Sequence, residues 1–218
     1  MKDGRDQGRR VTFEQRLAAY GMSPKDVPLE NVVVSEKEYT RLSVRDPSSR
    51  FAKAANRIRI RAIHELKQLI GVPDSVAKRE CGRRFESPAE VVAPVFESIG
   101  QLTAQHQDAL RLAAREFIYG NSETVAHYAP ALDKAIGMVG RAVITVVAAN
   151  DIIVERNATL ELDGSVDVIV ANKVLVKQGG QIRVTGPVKI DCESIEGEEL
   201  TYTIGPITPP AFSIGLRS

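Results

Sequence analysis

The sequence predicts an α+β fold, helical over its first 140 residues and stranded after them, on three observations. Apolar residues recur at a helical spacing before Gly140, they alternate with charges at a spacing of two after it, and residues 141 to 196 repeat every 22 positions. At 218 residues the chain is long enough to bury a core without disulfides. The pattern divides it into a helical part, 1–140, with a flexible basic start, a repeating part, 141–203, and an apolar, Pro-rich tail, 204–218.

The helical expectations follow in chain order. Val11 to Met22 has the spacing of a short helix, and Ser35 with Glu38 forms a capping-box signature. Phe51, Ala55, Ile58, Ala62, Leu66 and Leu69 line one face of a helix expected over 49–70, which Gly71 terminates. Ser87, Pro88 and Glu90 open a longer helix through Val91, Val95, Ile99, Leu102, Leu110, Ala113 and Phe117. It is expected to kink at Pro94 and to stop at Gly120 and Asn121. A last helix is expected over 122–138, interrupted at Pro130.

After Gly140 the repeat sets Ile152 against Val174, Val154 against Val176, Leu160 against Ile182, Leu162 against Val184, Val166 against Val188 and Val168 against Ile190. Charged positions change sign at the same step: Asp151 with Lys173, Glu155 with Lys177, Glu161 with Arg183 and Asp167 with Lys189. Strands stacked at the usual separation bring such pairs within ion-pair reach. Each unit divides into strands near 151–154, 159–162 and 166–170, with corners at Gly164 and Gly186, at Asn157 and Gly179, and at Asn150 and Asn172. Glycine and asparagine tolerate the positive φ that a sharp corner requires. Three parallel strands per turn is the arrangement of a short, three-faced, right-handed parallel β-helix.

In repeat style, residues 141 to 199 resemble the parallel β-helix superfamily, the single-stranded solenoids seen in pectate lyases and bactofilins. The likeness is architectural and carries no family motif. It implies a corner ladder of side-chain amides, with Asn150 over Asn172 as two rungs, and it does not transfer a function.

Two surfaces are left over. Parity places Val147, Ile153, Ile169 and Leu175 outside as apolar ladders, and Phe212, Ile214 and Leu216 alternate as an extended apolar strand in the tail. These seven residues are the expected interface. Asp191, Glu193, Glu196, Glu198 and Glu199 form an acidic rim where the repeat decays, and Cys192 falls at an inward position.

Charge is unevenly divided. Residues 1 to 85 carry 19 Lys and Arg against 11 Asp and Glu, and the remainder 10 against 17, so a net of +8 faces a net of −7. Contact between the halves explains this better than an anionic partner. The candidate site for an anionic partner is a stripe of Arg50, Lys53, Arg57 and Arg61 on the helix over 49–70. Aromatic interleaving is poor, Trp is absent, and no helix-turn-helix or RNA-binding signature accompanies it.

Signals for catalysis are weak. His64 opens HELKQ, which lacks the second histidine of HExxH, and His106 and His127 have no spaced ligand companions. Phosphate-binding glycine loops and a GxSxG elbow are absent. Asp151, Asp163, Asp167 and Lys173 invite a carbohydrate-active reading, but a solvated ion-pair ladder explains them more simply. Cys81 and Cys192 read as buried, reduced thiols, Met1 to Arg10 holds no apolar core of a secretory signal, and no apolar run approaches the roughly 20 residues of a membrane span. The expectation is a cytoplasmic, non-enzymatic structural protein without cofactor or metal, associating with itself or with a protein partner. A nucleic-acid- or protein-binding adaptor is the alternative, and a carbohydrate-active β-helix protein the third.

Overall fold

A computed structural model describes residues 11–27, 29–78, 93–139 and 142–197. The chain is mixed α and β, with six α-helices and two mostly parallel sheets among the described residues. Strands β1 (Leu29–Val34), β4 (Val143–Val154), β6 (Val168–Val176) and β8 (Lys189–Gly197) lie side by side in one sheet. Strands β2 (Tyr39–Leu42), β5 (Thr159–Leu162) and β7 (Gln181–Val184) make the other. All of these pairings are parallel, and the short strand β3 (Asn56–Arg59) adds to β4 antiparallel. From β4 onward the chain alternates between the sheets, so each strand lands on its own predecessor.

The 22-residue step holds between β4 and β6 and between β5 and β7: Ile152 pairs with Val174 and Leu160 with Ile182. It shortens to 21 between β6 and β8, where Val168 pairs with Lys189 and Val174 with Ile195. This corrects the expected pairing of Val168 with Ile190. It also continues the inward pattern one level further, because Ile195 rather than Glu196 lies beside Val174.

Three further expectations are corrected. The first 140 residues are not uniformly helical: Ser35 and Glu38 open no helix, and residues 29–42 form β1 and β2, which pair with β4 and β5 in the same two sheets. Valines and a threonine at every second position satisfy a half-buried strand. The helix over 49–70 is instead α2 (Arg50–Ala54), β3 and α3 (Ile63–Ile70), since Ile58 is drawn into pairing with Ile144. The long helix begins at Ala104 as α5 (Ala104–Tyr119), where Thr103 Oγ1 accepts from the His106 N–H at 3.2 Å; Ser87 to Val91 lie outside the described residues. Its end at Gly120 is as expected.

The remaining helices also follow local chemistry. In α1 (Phe13–Ala19) Thr12 and Gln15 complete a capping box. The expected interruption at Pro130 is a 3-10 segment, Ser122–Tyr128, running into α6 (Ala129–Val139), where Pro130 occupies the first turn and its missing N–H costs nothing. Lys67 of α3 donates to the carbonyls of Phe117 and Gly120 at 2.8 and 3.0 Å, serving the end of α5, and pairs with Asp74 of α4 (Asp74–Ala77) at 2.8 Å.

Two cores result. One lies between the sheets: Val32, Val34, Leu42, Val147, Ala149, Ile152, Val154, Leu160, Leu162, Ile169, Ala171, Val174 and Val176, joined by Phe51 and Ala54 of α2. The other lies between the helices and the outer face of the first sheet, where Val146, Ala148, Val168 and Val170 pack with Leu17, Leu66, Phe117 and Ile136. The inward residues of β4 are thus Val147 and Ala149, then Ile152 and Val154. That shift of one at Asn150, repeated at Asn172, breaks the two-residue parity, and β4 and β6 each run through the expected corner as one strand. Val147 and Ile169 therefore point inward at 1% exposure, not outward as parity alone expects.

Candidate functional site

The two ends of the strand stack are finished differently, and this contrast defines the candidate site. Each turn from the first sheet into the second has a left-handed residue at the same place: Lys37 with φ 62°, Asn157 with φ 54° and Gly179 with φ 70°. Equivalent turns hold equivalent inward positions, so columns of side chains run through the stack. One column is Val32, Ile152, Val174 and Ile195; a second is Leu42, Leu162 and Val184; a third is Val147, Ile169 and Ile190; a fourth is Ala149, Ala171 and Cys192.

At the β1 end the columns are sealed. Val32, Val34 and Leu42 are 0% exposed, in one cluster with Phe51 and Ala54 of α2. At the β8 end Ile182, Val184, Val188, Ile190 and Cys192 are only partly buried, and Ile195 is 46% exposed. Cys192 is inward and half-buried, burial raising its thiol pKa; Cys81 lies outside the described residues. Among the described residues β1 and β2 at one end and β7 and β8 at the other each pair along one edge alone, so the ends differ not in free strand edges but in the apolar floor that the β8 end leaves partly uncovered.

The rim of the open end is charged. Glu193 and Glu196 are exposed on β8, and Lys177 and Arg183 on the β7 side. Glu196 pairs with Lys173 at 2.9 Å and Lys177 with Glu155 at 2.7 Å. Of the expected ion-pair ladder, Glu155 with Lys177 forms. Asp151 and Lys173 are backbone neighbours, but Lys173 turns to Glu196; Glu161 turns from Arg183 to Arg41, at 3.0 Å, and to the Tyr39 hydroxyl. Glu198 and Glu199 lie outside the described residues.

Where β8 passes the helices, charged residues replace the apolar ones of β4 and β6. Lys189 and Asp191 pair with Val168 and Val170. The Tyr20 hydroxyl donates to Asp191 Oδ2 at 2.9 Å, Arg16 approaches Asp191 Oδ1 at 3.5 Å, and Lys189 Nζ donates to the Leu69 carbonyl at 2.9 Å. Burial, with the Asp191 charge beside it, raises the Tyr20 pKa, and burial lowers that of Lys189. These groups serve one another and fasten the last strand to α1 and α3.

Asp167 is the one buried carboxylate whose pKa is raised among the described residues. It is 8% exposed, and burial pushes it up to about 6 even though Oδ2 accepts from the Thr145 N–H at 2.7 Å. The expected ion pair with Lys189 does not form, because Lys189 points to Leu69. The folded chain therefore holds a proton that the unfolded chain has already released between about pH 4 and 6, so stability from this group is full below the unfolded pKa and is lost as pH rises through 6. Two pKa units correspond to about 3 kcal/mol at most. Asp167→Asn keeps an acceptor for Thr145 and removes the charge. Urea midpoints are expected to rise above wild type at pH 7.5 and to coincide with it near pH 4.5; parallel pH profiles would refute this assignment.

The other expected site residues are dispersed. Lys53 is exposed on α2, Arg57 is exposed on β3, Arg61 is exposed in the turn before α3, and Arg50 opens α2 with its side chain outside the described set. They make no stripe on a single helix, because no helix spans them. Ile153 and Leu175 do lie outside, half-buried in a ladder that begins at Val33, 46% exposed, and ends at Glu196. Phe212, Ile214 and Leu216 lie outside the described residues. No group of three or more metal-ligating side chains occurs among the described residues, and no helix of theirs is long and apolar enough to cross a membrane.

Ile195 and strands β1 and β2 are what sequence reasoning missed. Val32, Val34, Thr40 and Leu42 have the spacing of Ile152, Val154, Leu160 and Leu162 at an offset of 120, visible once the repeat is sought across an insertion. No family model, curated protein or solved structure matches the chain.

Proposed function

We propose that this chain is a non-enzymatic structural protein whose strands form a short right-handed parallel β-helix, and that it assembles with protein through the open end of that β-helix. The observation that carries the reading is the contrast within one column, Val32 buried completely and Ile195 46% exposed. An apolar floor between two unpaired strand edges is a surface that water covers poorly and a protein surface covers well. The buried Asp167 and the Tyr20–Asp191 contact have structural explanations and ask for no substrate. Static light scattering of the full chain across concentration and salt tests the reading. A mass above that of one chain is expected, reduced by Ile182→Glu and Ile195→Glu; one chain under every condition, with no protein bound, would contradict it.

A further inference from the structure

We infer that the occupant of the open end is a second copy of this chain, set open end to open end about a two-fold axis, so that the assembly closes as a dimer. The inference rests on the association proposed above and adds the partner and the symmetry.

The ends themselves select the symmetry. A head-to-tail contact would lay the partly buried Ile182, Val184 and Ile190 and the exposed Ile195 on an end filled by Phe51 and Ala54, where Val32, Val34 and Leu42 are already 0% exposed and offer no apolar surface to cover. An open end meets its like only in another open end, and such an isologous contact is self-limiting.

The rim is complementary to itself. Arg183 stands on the β7 side and Glu193 on the β8 side, while Lys177 and Glu196 beside them are already paired with Glu155 and Lys173. Arg183 hydrogen-bonds Gln181 and joins no ion pair among the described residues. A two-fold axis running between the sheets sets the basic side of each copy over the acidic side of the other, which selects this pairing and opposes β8 on β8.

Sedimentation equilibrium of the full chain over a concentration series reads this directly. One transition from one chain to two is expected, with no larger species. Ile195→Glu and Arg183→Glu are each expected to weaken the dimer at least tenfold, and adding Glu193→Arg to Arg183→Glu to restore most of the loss. Lys53→Glu on the sealed end is expected to leave the dimer within twofold of wild type; circular dichroism of each variant confirms its fold. Masses that climb past two chains, or equal weakening by Lys53→Glu and Ile195→Glu, would overturn the two-fold arrangement and leave the proposed association standing. A dimer indifferent to Ile195→Glu would move the contact elsewhere and overturn the inference. One chain at every concentration would overturn the inference, and with no other protein bound it would overturn the proposed association as well; slow amide exchange along β7 in that chain would assign the open end to its own residues 198–218.

Discussion

Ile152→Ala is expected to destabilise the fold by about 2–5 kcal/mol, whereas Ile195→Ala in the same column is expected to cost less than about 1 kcal/mol. The two side chains are chemically identical and differ in level. Ile152 is 2% exposed between Val32 and Val174, both at 0%. Removing it loses the transfer free energy of three carbons and leaves a cavity walled on both sides by strands that cannot approach one another. Ile195 has Val174 on one side and is 46% exposed, so truncation opens no enclosed space. Urea denaturation at protein concentrations low enough to suppress association gives both values. Equal losses would mean that the column does not end at Ile195.

Gly71→Ala is expected to cost about 3 kcal/mol, among the larger effects of any single methyl group in this chain. A Cβ there would lie 2.5 Å from the Lys67 carbonyl oxygen, 2.6 Å from the Ile118 carbonyl oxygen and 2.9 Å from the Lys67 Cα. All three are backbone atoms, so no side-chain rotation relieves the contact. The same residue carries the chain from α3 past the end of α5 toward α4: its N–H donates to the Lys67 carbonyl at 2.8 Å, and the Val72 N–H donates to the Ile118 carbonyl at 2.9 Å. Its φ of −82° makes the cost one of space rather than of conformation. Gly100→Ala, where a Cβ meets nothing within 4 Å, is the matched control and is expected to be neutral or slightly stabilising. Thermal unfolding of the pair separates the cases, and similar midpoints would refute the close approach at Gly71.

Much of the strand stack is legible in the sequence because period and charge are local. The pairs Ile152 with Val174 and Leu160 with Ile182 need only two adjacent units to be recognised, and the φ of 54° and 70° at Asn157 and Gly179 falls where the residue types require it. Residues 29–42 escape because the offset to β4 and β5 is 120, not 22, with helices inserted between; a period search among neighbours cannot bridge that distance. The inward set departs from simple alternation for a different reason. Alternation is a rule for straight strands, and a bend at Asn150 moves it by one, which carries Val147 and Ile169 from the surface to the core. The misread helix over 49–70 shows tertiary pairing overriding spacing, since Ile58 fits a helical face as well as it fits a strand beside Ile144.

The candidate site was legible in half. The acidic residues at the end of the repeat are visible, but a fixed step of 22 sets Glu196 over Val174 and hides the apolar Ile195 beside it. The step of 21 puts Glu196 outside against Lys173 and leaves Ile195 inward, so the same residues form an apolar floor with a charged rim. A basic stripe was expected on one helix, and its members instead sit on α2, β3 and the following turn.

Methyl–methyl nuclear Overhauser effects along the first column test the central claim most directly. Contacts running in single file from Val32 to Ile152, from Ile152 to Val174 and from Val174 to Ile195 are the result that parallel stacking with a final step of 21 predicts. Absence of the Val32–Ile152 contact, or a Val174 methyl with no contact to Ile195, would contradict it.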